Sequence, residues 1–108
     1  MFIHIQCWSV RSTWKQLSLA TRITYFNHIK QIVQDLHLAG IHLINYPLEV
    51  RNIYFLHQHY LLIWRMPHRD DLAHLYETLQ KGGWNHYFEE IALQDQMIMP
   101  HLHLQIGL

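Results

Sequence analysis

Cys7 is the only cysteine in 108 residues. An intrachain disulfide and a cysteine-based zinc site are therefore excluded. Charge is also scarce: Asp, Glu, Lys and Arg make up 15% of the chain, against roughly 25% in an average soluble domain. So few charges imply little exposed surface, or surface shared with a partner, and a homodimer is the expectation. The eight basic and eight acidic residues cancel to a formal charge of zero without any like-charged run. That balance leaves no basic footprint for nucleic acid and no polybasic membrane patch. No apolar run approaches the ~18 residues of a membrane helix. Met1-Phe2-Ile3-His4 lacks the charged start and long apolar stretch of a secretory leader, so the expected location is the cytoplasm.

What is present is a core. Half of the residues are hydrophobic and 13% are aromatic, enough to build one domain over residues 1–108. Histidine is the oddity, with eleven copies, many of which could gain charge between about pH 7.5 and 5.5.

Over residues 2–8, Ile3, Ile5 and Cys7 alternate with Phe2, His4, Gln6 and Trp8. The period of two predicts a strand with an aliphatic face and a mixed face. Residues 9–13 are polar and read as a turn, leading through Trp14 and Leu17 to Ser18, a candidate N-cap. Leu19, Ile23, Phe26, Ile29, Val33 and Leu36 then recur at helical spacing, and Gly40 supplies the stop.

Residues 41–46 read as a second strand ended by Pro47. Residues 48–58 read as the extended tip of a hairpin joining it to a third strand over 60–66. Both faces of that third strand are apolar: Leu61 and Ile63 on one, Tyr60, Leu62, Trp64 and Met66 on the other. Such a strand is covered on both sides. Two sizeable helices should lie on one face, leaving the other for a second copy of the chain.

Pro67 ends this strand, and Asp70 and Asp71 suit a helix N-terminus. Leu72, Leu75, Tyr76 and Leu79 form the stripe, and Gly82-Gly83 stop it. Residues 87–93 read as a helical turn or a fourth strand. The tail, residues 96–108, alternates apolar and polar residues and reads as an extra strand or, through Pro100, a short helix.

The order β-α-β-β-α-β fits an α+β, ferredoxin-like plan with an antiparallel sheet. Trp14, Arg22, Trp64-Arg65-Met66-Pro67 and Gly83-Trp84-Asn85-His86-Tyr87-Phe88-Glu89 resemble an uncharacterised bacterial family of roughly hundred-residue proteins in the dimeric α/β-barrel superfamily. The likeness covers about residues 1–95. It implies a homodimer whose two sheets form a barrel with helices outside, and it implies no chemistry. His68 departs from the family pattern, which has a Ser-like cap there, and residues 48–58 are more apolar than the pattern.

His4, Gln6 and Trp8 share a strand face, with Trp64 on a neighbouring strand; with Trp84, His86 and Tyr87 they are the candidate lining of a small-molecule pocket. Trp84, Tyr87 and Phe88 equally read as a core-closing cluster, and His86 as a histidine bonded to backbone in a tight turn. The superfamily includes cofactor-poor monooxygenases and haem-binding enzymes, in some of which a histidine roughly where His86 stands ligates iron.

His57/His59 and His101/His103 are His-x-His pairs able to share a metal. Without nearby carboxylates or thiolates they read as solvated faces, so no metal or other cofactor is expected. Glu89 and Glu90 diverge in a strand and are not a catalytic pair, and no nucleophilic triad or phosphate loop is present. Three functions stay open: a small-ligand-binding protein without catalysis, a small monooxygenase- or isomerase-type or haem-binding enzyme, and a protein-interaction module.

Overall fold

The computed structural model describes residues 1–44 and 59–91. In chain order these form β1 (Phe2–Val10), α1 (Ser12–Lys15), α2 (Leu19–Leu38), β2 (His42–Leu43), β3 (His59–Met66), α3 (Asp71–Lys81), α4 (Trp84–Tyr87) and β4 (Phe88–Ile91). The hairpin tip expected at 48–58 and the strand or helix expected in the tail lie outside the described residues.

β1 is the axis of a four-stranded, wholly antiparallel sheet of order β2-β3-β1-β4. On one edge it pairs with β3 from Phe2↔Met66 to Ser9↔His59. On the other it pairs with β4 from Cys7↔Ile91 to Val10↔Phe88. The pleat sends Gln6, Trp8 and Val10 to the same side as Leu62, Trp64, Met66 and Phe88. α2 adds Phe26, Ile29, Val33 and Leu36 to that core, α3 adds Leu75 and Leu79, and the short helices add Trp14 and Trp84. Both long helices therefore cover one face.

The opposite face is aliphatic at its centre, with Arg65, His42, Ser9 and Glu89 on the same side by register. Cys7 is buried among the half-buried Ile5, Leu61 and Ile91, Ile63 is buried, and Ile3 is 43% exposed. Ile44, whose N–H donates to the Ile63 carbonyl, is 45% exposed at the same side of the sheet.

Local chemistry explains the element ends. Ser18 Oγ accepts from the Thr21 N–H at 3.2 Å, the N-cap bond that opens α2. At its far end Gly40 takes φ +88°. There Ile41 N–H reaches Leu36 O at 2.9 Å and Gly40 N–H reaches His37 O at 3.0 Å, a Schellman closure. Asp70 makes no side-chain cap. Instead the Asp71 carboxylate accepts from the His68 N–H at 3.1 Å, half of a capping box, so His68 stands where a Ser-like cap would without contributing its side chain.

Two sequence expectations are corrected. Ser9 and Val10 continue β1, and Ser12 and Thr13 open α1 rather than lying in a turn. α1 persists because the Arg22 guanidinium of α2 donates to the Trp14 and Lys15 carbonyls and lies over the Trp14 ring. The apolar stripe of α2 also begins later than its spacing suggests. Leu19 and Ile23 are 49% and 41% exposed, whereas Phe26, Ile29, Val33 and Leu36 are buried. The first turn is held by the Ser18 cap and by the Arg22 bonds to α1.

Candidate functional site

Strand alternation puts His4, Gln6 and Trp8 on the helix-covered face of β1. Register sets His4 opposite Trp64 and Trp8 opposite Glu90. Four of the expected pocket residues thereby share one face, and the indole N–H groups of Trp8 and Trp64 meet at Gln6. The Gln6 side chain is fully buried. Its Oε1 accepts from Trp8 Nε1 at 3.1 Å and from Trp64 Nε1 at 2.8 Å. Two indole N–H groups that would otherwise be stranded in the core share one acceptor.

The amide has nothing comparable for its other end. Among the described residues Gln6 Nε2 is buried without a well-formed hydrogen bond. It faces the Tyr76 hydroxyl, whose pKa rise it opposes by hydrogen-bonding interaction. A fully unpaired buried amide donor would cost about 1–3 kcal/mol, and among the described residues Trp14 Nε1 and Trp84 Nε1 share this status.

One pleat further along, His4 Nε2 lies 3.0 Å from the Tyr76 hydroxyl, which donates to Glu90 Oε2 at 2.7 Å. Three elements supply this chain: β1, α3 and β4. Tyr76 has one proton and gives it to the carboxylate, so its oxygen accepts, and His4 must donate from Nε2. The neutral imidazole then carries its lone pair on Nδ1, which makes no hydrogen bond among the described residues. Phe2 stacks on the His4 ring and Tyr76 meets it edge-on.

Burial lowers the His4 pKa below the ordinary histidine value, partly opposed by the Glu90 charge. Burial, with the Glu90 bond and charge adding to it and Gln6 opposing, pushes Tyr76 up to about 12. The hydroxyl thus stays protonated and serves as a conduit. Among the described residues no Lys or Arg side chain bonds into this group, so it suits a neutral ligand better than an anion.

The remaining expected residues sit elsewhere. Trp84 packs edge-on against Trp8 at 5.9 Å and stacks on Phe88 at 4.1 Å, closing the core; its Nε1 is buried without a hydrogen bond among the described residues. Tyr87 packs on Tyr25 and Trp14. The His86 ring is exposed beside Tyr87, and its backbone carbonyl accepts from the Thr13 hydroxyl. His86 is not assembled with His4.

Tyr76 and Glu90 are the site residues that the sequence pattern does not single out. Tyr76 reads as one more residue of a helix stripe. The signal for Glu90 is its spacing of two from Phe88, which puts both on one face once β4 is recognised.

Among the described residues, no three His, Cys, Asp or Glu side chains converge as a metal site. His57, His101, His103 and the His59 side chain lie outside that set. No described helix is long and apolar enough to cross a membrane.

The chain belongs to DUF6616, a family of unknown function, over residues 1–106. No curated protein and no solved structure matches it.

Proposed function

We propose that this member of a family without an assigned function is a homodimeric small-molecule-binding protein. Its ligand is a neutral, aromatic or apolar molecule with one hydrogen-bond acceptor, held at the Gln6 cluster. The fully buried Gln6 carries this reading, its Nε2 meeting no acceptor but the neighbouring Tyr76 hydroxyl among the described residues. A bound acceptor would remove its desolvation penalty, and the indole faces of Trp8 and Trp64 around it are the flat apolar surfaces that such sites use.

The strand order β2-β3-β1-β4 with both long helices on one face is consistent with the ferredoxin-like plan. The aliphatic second face, with Ile3 and Ile44 exposed, is the surface a partner sheet would cover in a dimeric α/β barrel. Its twofold form is the common one, with the same patch used on both copies.

Gln6→Glu separates the two ends of the side chain. A carboxyl oxygen still reaches both indoles, while the second donor is lost. Saturation-transfer NMR with phenol and indole as probes should show binding to the wild-type protein and at least about tenfold weaker binding to this variant, one lost hydrogen bond being worth about 1–1.5 kcal/mol. Equal binding to both proteins would remove Gln6 from the site, and no binding to either would sink the reading.

A further inference from the structure

We infer that Tyr76 is a redox-active tyrosine, giving one electron to a diffusing oxidant of the peroxyl-radical class while its proton crosses to Glu90. The inference goes beyond the binding reading and does not depend on it. It needs no cavity, because the Tyr76 side chain is only half-buried and an electron can leave it to an oxidant that touches the surface.

Three side chains meet at the Tyr76 oxygen. Glu90 Oε2 on β4 accepts its proton in a 2.7 Å hydrogen bond. His4 Nε2 on β1 donates to it at 3.0 Å, and the Gln6 amide faces it from the same strand. One base and two donors thus surround one phenol. Tyr25 shows the contrast. Its hydroxyl donates to the Gly82 carbonyl at 3.0 Å, an acceptor that cannot keep a proton.

That difference decides which phenol is readily oxidised. A phenol that loses an electron while keeping its proton becomes a strongly acidic radical cation. Losing the proton first is closed near neutral pH. Burial, with the Glu90 bond and charge adding to it and Gln6 opposing, pushes the Tyr76 pKa up to about 12. Electron and proton must leave together, which a base already in the hydrogen bond allows.

The step balances. The Tyr76 O–H bond breaks and an O–H bond forms at Glu90 Oε2. The electron converts the peroxyl radical to a peroxide anion, which takes up a proton from water to give the hydroperoxide. The His4 and Gln6 donors remain at the phenoxyl oxygen and stabilise the partial charge it keeps. An enediol reductant then returns the electron and Glu90 returns the proton, which resets the pair.

Flash-generated tris(bipyridine)ruthenium(III), an outer-sphere one-electron oxidant, is the probe. Freeze-quenched electron paramagnetic resonance should show a fast-forming tyrosyl radical in the wild-type protein, and it should form more slowly in heavy water. Tyr76→Phe should abolish that fast signal. Glu90→Gln, at an exposed position, keeps a hydrogen-bond acceptor that holds no proton. It should slow formation about 100-fold, the lower end of what a positioned base contributes. Tyr25→Phe should change neither signal nor rate.

A fast signal that persists in Tyr76→Phe puts the radical on another ring and overturns the inference, as does the absence of a tyrosyl signal in the wild-type protein. A Glu90→Gln rate equal to wild type also overturns it, because a merely structural Glu90 would alter stability and leave the rate alone. Circular dichroism shows whether each variant is folded. Should a variant lose its fold, the isotope effect in the wild-type protein decides, and a rate unchanged in heavy water sinks the coupled step.

Discussion

Gln6 explains how two of the chain's tryptophans can be buried side by side. Trp8 and Trp64 come from different strands, and each would strand an indole N–H in the core; one amide oxygen satisfies both. Gln6→Leu removes that acceptor from two buried donors at once. At about 1–3 kcal/mol for each unsatisfied group, offset by the added apolar side chain, the expected loss is about 2–4 kcal/mol in urea unfolding. A loss below ~1 kcal/mol would show that the indoles find other partners. Gly83 holds φ +80° before α4, where an L side chain is strained. Gly83→Ala should lower stability by about 1–2 kcal/mol, read from the same curves.

At this scale the sequence is partly legible. Alternation places His4, Gln6 and Trp8 together, because period two depends only on the strand itself. The tie from His4 through Tyr76 to Glu90 is hidden, since it needs the register of β4 and the rotation of α3 over the sheet, and neither is encoded locally. His86 groups with these residues only by nearness in sequence to Trp84 and Tyr87, whereas α4 turns its ring outward.

The elements with explicit start and stop chemistry are those the sequence announces. α2 has Ser18, a helical apolar period and Gly40; the cap and the stop act as their residue types require, and the period packs from Phe26 onward. Ser18→Ala should cost about 1 kcal/mol, the usual worth of an N-cap, measured by thermal or urea unfolding. α1 is not announced, because its four residues persist through contacts with Arg22 and α4 rather than through any propensity of their own.

The join of α2 to β2 is pH-sensitive. His37 Nε2 accepts from the Leu43 N–H at 3.1 Å, which requires a neutral ring. Burial, and then the nearby His42 ring, lower its pKa. His4 is lowered too, by burial, with Glu90 opposing.

For both histidines the unfolded chain takes up its proton first. Their contribution to stability is therefore complete above the ordinary histidine pKa of about 6.5 and is lost as pH falls from there through the lower folded values. Urea midpoints should fall between about pH 7 and 5, and His37→Gln should flatten that fall. A midpoint that rises on acidification would contradict the assignment.

For the whole molecule, the apolar composition and the two-faced β3 point the same way. One side of the sheet carries both long helices. The other carries Ile3, Ile5, Cys7, Leu61 and Ile63 at its centre, with Ile3 exposed and the exposed Arg65 and Glu89 on the same side. The scarcity of charge in the composition already signals such a surface, because a solvated sheet face is normally polar. What covers it is not legible in the sequence, since an apolar face states that it must be buried and not by what. Ile3→Glu places a charge on the proposed interface at a position that tolerates solvent. Sedimentation should show it shifting the protein to monomer with its circular dichroism spectrum retained. A dimer unaffected by this charge would move the interface elsewhere.

The most direct test of a homodimeric binding protein is native mass spectrometry of the freshly purified chain under gentle ionisation. The expected result is a dimer carrying a discrete, removable small-molecule mass on each protomer. A bare monomer would contradict both the paired sheets and the ligand at Gln6.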